Sequence, residues 1–311
     1  MLTIKKYSAE YKKNWDELVA HSRNGTFLFF RDYLEYHKEK YNECSFLFFK
    51  KGKLLAVIPG NINEQIFYTH EYLTYGGFII DNTLKTADIL LLFELLNKEL
   101  RVLKIKAVVY KPIPFIYHQI PSQEDLYALF LLKAKRLACD ISSSVFECKK
   151  IKFSNSRKDG IRKANKAGLV VEESDDYAGF WKILAANLQK KYSTLPVHSL
   201  DEITYLQNHF KQKIKLFVVK QKAEIVGGTV LFITGKVVHV QYIAANLEGR
   251  VTGALDLLFS ELINTVCVSC EVFDFGKSTE QAGTVLNKNL IFQKEGFGAR
   301  GVVYETYKYT L

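Results

Sequence analysis

Three stretches of this sequence carry residue types whose spacing could do chemistry. In the first, His239-Val-Gln-Tyr242-Ile243-Ala244-Ala245-Asn246 reads as a strand. It continues through Leu-Glu-Gly249-Arg250-Val-Thr-Gly253-Ala254 into a helix whose Leu255, Leu258, Phe259, Leu262 and Val266 follow the 3.6-residue period. A glycine turn with a cation, placed between a strand and a helix, leaves the first amides of the helix unpaired and aimed at one spot. The helix dipole favours an anion there. Arg250, Gly253 and Ala254 are therefore candidates to hold a phosphate, although glycine also serves any tight turn. His239 is either a proton acceptor at neutral pH or a hydrogen-bonded core histidine. Strand alternation puts His239 and Tyr242, three apart, on opposite faces.

The second stretch is Phe273-Asp274-Phe275-Gly276, a buried strand ending in a turn. An aspartate between two aromatics is costly unless it is hydrogen-bonded or functional. Beyond the turn, Glu280 is a candidate general base if partial burial raises its pKa, or else a helix N-terminal glutamate stabilised by the dipole. The third stretch, residues 149–166, holds eight basic residues against one acid, Asp159, in a chain whose net charge is +10. The excess is local, which suits one anion site better than a nucleic-acid-coating surface. On a helix, Arg157, Arg162 and Lys166 fall along one side, with Lys163 beside them, and a guanidinium fork suits phosphate. A solvated helix face is the alternative. His118 and His198 lie in loops, where functional histidines are more common than on strands, but no spacing joins them.

Two successive runs of elements must position these residues. Periodicity and breakers give helices at 12–22 and 31–41, strands at 45–50, 53–62 and 73–80, a helix at 86–103, a strand at 106–110, a helix at 123–137 and a strand at 141–147. The second run gives helices at 155–167, 175–191 and 199–210, and strands at 215–220, 223–233 and 237–245. A helix at 253–266, a strand at 272–276, a helix at 284–292 and terminal strands within 300–311 follow. The repeated order predicts a tandem duplication of one mixed α/β unit, with the boundary between residues 150 and 151.

At 48% hydrophobic and 14% aromatic residues, the 311-residue chain has ample material for two cores, and whole-chain disorder is excluded. No stretch has the roughly 20 apolar residues of a membrane span, and the first residues lack a signal-peptide pattern, so a cytoplasmic protein is expected. Five cysteines without such a pattern are expected as reduced thiols. The Cys267/Cys270 pair lacks the two further ligands a zinc site needs, so no metal is expected.

The order strand, strand, strand, glycine-turn helix, strand, helix, followed by Lys294-Glu-Gly296-Phe297, resembles the GNAT N-acetyltransferase superfamily. Its pyrophosphate loop reads Arg/Gln-x-x-Gly-x-Gly/Ala. Arg250 and Gly253 match the first and fourth positions, and Leu255 departs from the sixth. A resemblance to the tandem-GNAT, Fem-like class covers nearly the whole chain. It rests on Arg157-Lys-Asp-Gly-Ile-Arg162-Lys163-Ala164-x-x-Ala-Gly168-Leu169, Phe273-Asp274-Phe275-Gly276 and Leu286-Asn287-Lys-Asn-Leu290-x-Phe292-Gln-Lys294-Glu-Gly-Phe297-Gly298. Leu73-Thr-Tyr75-Gly76-Gly77 and Tyr110-Lys111-x-x-Pro114-x-x-Tyr117-His118 are similar to the acetyltransferases of bacterial surface-polysaccharide clusters.

The resemblance implies two tandem GNAT-like domains, each a mixed, largely antiparallel sheet flanked by helices. Residues 1–150 would form the first, without an acyl-CoA site of its own because Asp81-Asn82 stands where a glycine turn would be. Residues 151–311 would form the second, with the site. It implies acetyl transfer from acetyl-CoA to the amine of an envelope-precursor sugar, nucleotide- or lipid-linked. Arg250, Gly253 and Ala254 would hold the pyrophosphate, and the backbone of Ile243, Ala244 and Ala245 the pantetheine arm. Glu280, Asp274, His239 and Lys294 would serve the chemistry, Lys294 as an oxyanion-stabilising cation or as a dipole-complementing helix lysine. Arg157, Arg162, Lys163, Tyr110, Lys111, His118 and His198 would bind the acceptor. Two alternatives stay open: an aminoacyl-tRNA-dependent Fem-type peptidyltransferase acting on a peptidoglycan precursor, and a non-catalytic module that binds a glycan precursor or a protein. Only the former would involve tRNA, and neither DNA nor a transmembrane segment is expected.

Overall fold

The computed structural model describes residues 2–36, 38–147, 150–265 and 270–311. The first run of elements is β1 (Leu2–Lys6), α1 (Lys12–His21), α2 (Arg31–Glu35), β2 (Asn42–Glu43), β3 (Phe46–Lys50), β4 (Lys53–Ile58), β5 (Asn61–Asn63), β6 (Ile66–Tyr68), β7 (Ile79–Ile80), α3 (Thr86–Val102), β8 (Ala107–Tyr110), α4 (Glu124–Leu131) and β9 (Lys135–Phe146). The second is α5 (Asn155–Lys166), β10 (Leu169–Ser174), α6 (Tyr177–Tyr192), α7 (Leu200–His209), β11 (Ile214–Gln221), β12 (Glu224–Ile233), β13 (Val237–Ala245), α8 (Leu247–Thr252), α9 (Ala254–Thr265), β14 (Val272–Lys277), β15 (Thr279–Glu280), β16 (Val285–Leu286), α10 (Lys288–Glu295) and β17 (Arg300–Thr310). The chain divides into two compact units, but not at a single seam. Unit 1 holds residues 1–140, 280–285 and 303–311, and unit 2 holds 141–279 and 286–302.

Unit 1 contains the antiparallel sheet β1-β3-β4-β7, and a second run in which β8 lies between β6, parallel to it, and the end of β17, antiparallel. Phe46, Phe48, Phe78, Phe93, Leu96 and Tyr110 build its core. The expected strand at 73–80 is reduced to β7, because Gly77 adopts φ +86° and its Cα backs onto the Tyr110 ring, where a Cβ would lie 2.5 Å from the hydroxyl. The expected helix at 123–137 stops at Leu131. Lys133 turns left-handed (φ 52°), and the chain enters β9. The edge strands β1 and β10 were not expected. Their burial is too uneven, one buried residue each, to print an alternating pattern.

In unit 2 the strands run β10-β11-β12-β13 antiparallel. β14 then pairs parallel with β13, and the β9 residues of this unit pair antiparallel with β14. Helix α9 packs Leu258, Phe259, Leu262 and Ile263 onto one face of the sheet, and α6 packs against the other face. The β13–β14 ladder has three pairs, ending at His239↔Asp274, whereas β13 runs six residues further. The single helix expected at 253–266 begins later and is preceded by α8. Gly253, left-handed at φ +82°, separates the two. That glycine sits against α5, where an added Cβ would come within 2.4 Å of the Gly160 carbonyl oxygen.

The chain must therefore lose more stability at Gly253 than at Gly168, which is also left-handed (φ +68°) but faces open space. Gly168→Ala should cost only the conformational term, about 1 kcal/mol. Gly253→Ala adds a backbone displacement and should cost about 2–4 kcal/mol. Urea unfolding of the two variants measures the difference.

Candidate functional site

The glycine turn of unit 2 opens on a cavity of about 500 Å³ lined by Arg157, Gly249, Arg250, Gly253, Leu255, Asp256, Asn289, Phe292 and Gln293. Leu255 borders this space, half-buried, and does not fill it. Asn246 caps α8, its side chain accepting from the Gly249 amide at 2.8 Å. Arg250 is fixed at the mouth: Nε donates to the Ala245 carbonyl (3.1 Å) and Nη2 to Asn187 Oδ1 (2.7 Å). The Asn187 amide also donates to the Ala245 carbonyl (3.0 Å), so α6 and Arg250 together tie down the end of β13.

The basic helix forms as expected, with Ser154 as its N-cap, but its cations do not act as one face. Arg157 turns inward, bonds Asp256 at 2.5 Å in the first turn of α9, and lies over the Phe297 ring at 5.7 Å. Burial pushes the Asp256 carboxyl up, and Arg157 opposes that shift. Arg162 pairs with its neighbour Asp159, and it, Lys163 and Lys166 are exposed. Lys149, Cys148, Val266 and Cys267 lie outside the described residues. Cys44 and Cys139 are free thiols, and the described residues hold no cluster able to bind a metal.

A bulge changes the geometry of β13. Val230 pairs with Tyr242 and Leu231 with Val240, leaving Gln241 as the extra residue. His239 pairs with Phe232, two residues from Val230, so His239 and Tyr242 share a face instead of opposing each other. That is the α6 face: the Tyr242 ring meets Trp181 edge-on at 5.1 Å, and its hydroxyl lies 2.5 Å from His198 Nδ1. Burial pushes the Tyr242 hydroxyl up to about 12. His239 Nδ1 lies 2.7 Å from Asp274 Oδ2, across the last pair of the parallel ladder. Asp274 is fully buried, and its Oδ1 accepts from Ser142 Oγ (2.5 Å) and Ser144 Oγ (2.8 Å). The two serines escaped the sequence reading, although their i, i+2 spacing on a strand was a legible sign of a shared face.

Lys294 is buried at the end of α10 and donates to the carbonyls of Gly276 (2.7 Å) and Lys277 (2.8 Å), holding the turn that ends β14. Two of its three donor positions are thus taken by the backbone. Glu280 is exposed on β15. In unit 1, Tyr110 is fully buried, accepting from the Phe78 amide and donating to Asp125, whose carboxyl burial raises to about 6. Lys111 Nζ holds the carbonyls of Glu71 (2.8 Å) and Leu73 (2.9 Å), and His118 Nε2 lies 2.9 Å from the Ile113 carbonyl. These three expected acceptor ligands hold the core and loops of unit 1. His198, buried against Tyr242, is the only histidine of the expected acceptor set placed in unit 2.

Burial lowers the Lys294 pKa from 10.5 to about 8, with Asp274 opposing the shift. The unfolded chain then binds more protons than the folded one between those pH values. The Lys294 contribution to stability rises across that window and is lost as pH falls through about 8. Relative to Lys294→Met, the native chain should gain on the order of 1–3 kcal/mol between pH 8 and 10.5, read by denaturant unfolding at several pH values.

The comparisons with known proteins bear on the fold. The family described as Acetyltransferase (GNAT) domain matches residues 152–282. The solved structure of FemX aligns with a TM-score of 0.70 at 13% identity, over 99% of this chain and 97% of that one. L-PGS from Bacillus licheniformis aligns at 0.61 and 10%, over 98% and 92% of the two chains. A tandem GNAT protein from the clavulanic acid biosynthesis pathway aligns at 0.56 and 9%, over 100% and 98%. No curated protein sequence matches significantly. Residues 152–282 thus match the GNAT acetyltransferase domain family, and the chain shares the fold of these tandem-GNAT and Fem-like structures.

Proposed function

We propose that unit 2 binds acetyl-CoA and transfers its acetyl group to the amine of an envelope- or polysaccharide-precursor sugar. The observation that carries this reading is the early end of the β13–β14 ladder, which leaves residues 240–245 of β13 unpaired with β14 and leading straight to the Gly253 cavity. From His239 to Ala245 the strand spans roughly 20 Å, comparable to an extended pantetheine arm. A donor lying along Ile243, Ala244 and Ala245, with its pyrophosphate at Arg250, Gly253 and Ala254, brings its thioester toward His239. Arg157 belongs to this cavity and neutralises Asp256, which would otherwise repel the pyrophosphate. The matching turn of unit 1 carries Asp81 and Asp88 ahead of and inside α3, a poor setting for a diphosphate.

The acceptor nitrogen attacks the thioester carbonyl carbon, the C–S bond breaks, and CoA leaves as the thiol or thiolate. The proton lost by the amine goes to His239 Nε2, because Nδ1 is held by Asp274. Proximity and electrostatic stabilisation of the developing oxyanion supply the rate, without a covalent intermediate. The exposed Arg162, Lys163 and Lys166 are available for acceptor phosphate. The same three cations favour, as a second reading, a polyanionic aminoacyl-tRNA donor.

Melting curves with acetyl-CoA, CoA and aminoacyl-tRNA in parallel separate these readings. Acetyl-CoA and CoA at 100 times their Kd should each stabilise by about 2.7 kcal/mol, and Arg250→Glu should abolish the shift. A shift with tRNA alone, steeply weakened by salt, would establish the second reading in place of the first.

A further inference from the structure

Ser142 and Ser144 alternate on β9, share one face of the strand, and both direct their hydroxyls at the same oxygen of Asp274. Ser144 is the direct ladder partner of Asp274, and Ser142 pairs two residues further along β9, opposite Lys277, across an irregularity in register. We infer that Ser142 and Ser144 are positioning residues that fix Asp274, and through it the orientation and tautomer of His239. This inference rests on the reading of His239 as the proton acceptor.

A carboxylate buried between Phe273 and Phe275 is tolerated only if donors replace water, and two hydroxyls with the imidazole N–H supply three. Oδ1 receives two O–H donors, an arrangement suited to the ionised acid, which has acceptor sites only. With Oδ1 occupied, Oδ2 is directed at His239 Nδ1. An ionised Asp274 then requires the proton on Nδ1, so the lone pair sits on Nε2. A Cβ at Gly276 would lie 3.4 Å from His239 Cε1 and 3.9 Å from Nε2, so this glycine borders the ring on its Nε2 side. The nearby Lys294 ammonium is compatible with the negative charge.

The order of the groups also says what the serines do not do. They bond the aspartate and not the histidine, so His239 is not placed to deprotonate either one, and nucleophilic serine chemistry does not fit. Ser143 provides an internal control: it is equally buried on the same strand, it points to the other face, and its hydroxyl has no partner.

The test uses the full chain with ¹⁵N-labelled histidine. The native protein and Ser143→Ala should show His239 in the Nδ1–H tautomer. The double variant Ser142→Ala/Ser144→Ala should show a mixture, and its acetyl-transfer kcat should fall by about 10–100-fold with KM for acetyl-CoA unchanged. Ser142→Thr/Ser144→Thr, which keeps both hydroxyls, should restore the tautomer and the rate. If the double variant does not fold, each single alanine variant carries the same tautomer measurement. An unchanged tautomer in the alanine variants, or an equal effect from Ser143→Ala, overturns the inference. If the native protein transfers no acetyl group, the functional reading fails separately, and the tautomer spectra still decide whether the serines position His239.

Discussion

The parallel pairing of β13 with β14 lasts three residues, and the arrangement of unit 2 follows from where it stops. Up to His239 and Asp274 the strands share a ladder, and the aspartate can be buried because its neighbours across both edges are hydrogen-bonding side chains. Past that point β13 is held from one side by β12 and at its tip by Arg250 and Asn187. Backbone amides and carbonyls along an unpaired edge are unsatisfied groups, and a strand can leave them so only where solvent or an extended ligand completes them.

Two close backbone approaches fix the geometry around that opening. Gly253 lies against Gly160, so the junction of α8 and α9 is keyed to α5 at a spot with no room for a side chain on either helix. Arg157 then reaches from α5 to Asp256 beside the same junction. The bulge at Gln241 has the complementary effect on the opposite face of the sheet, rotating Tyr242 to the side that His239 occupies, where Trp181 and His198 pack on it.

Much of this was legible in the sequence. The helix at 155–166, the strand at 237–245 and the glycine turn after it follow from periodicity and breakers, and the tandem order follows from their repetition. What sequence could not supply came from pairings between distant residues. A one-residue bulge reverses every facing beyond it, and nothing local to Gln241 announces one. Lys111, Tyr110 and His118 sit in a motif with the right residue types for binding, yet tertiary contacts spend those groups on carbonyls and on a buried carboxylate. The inward turn of Arg157 depends on Asp256, 99 residues away in the sequence. The two serines acquire meaning only when β9 is seen lying beside β14.

The discontinuity of unit 1 bears on how the chain is made. Strand β8 takes its antiparallel neighbour from residues 307–310, and Tyr309 joins Asn97 from the far side of unit 2's entire sequence. A ribosome must therefore finish residues 141–279 before the first unit can complete its sheet. Until then β8 carries an open, apolar edge, and folding waits on a contact of very long range in sequence.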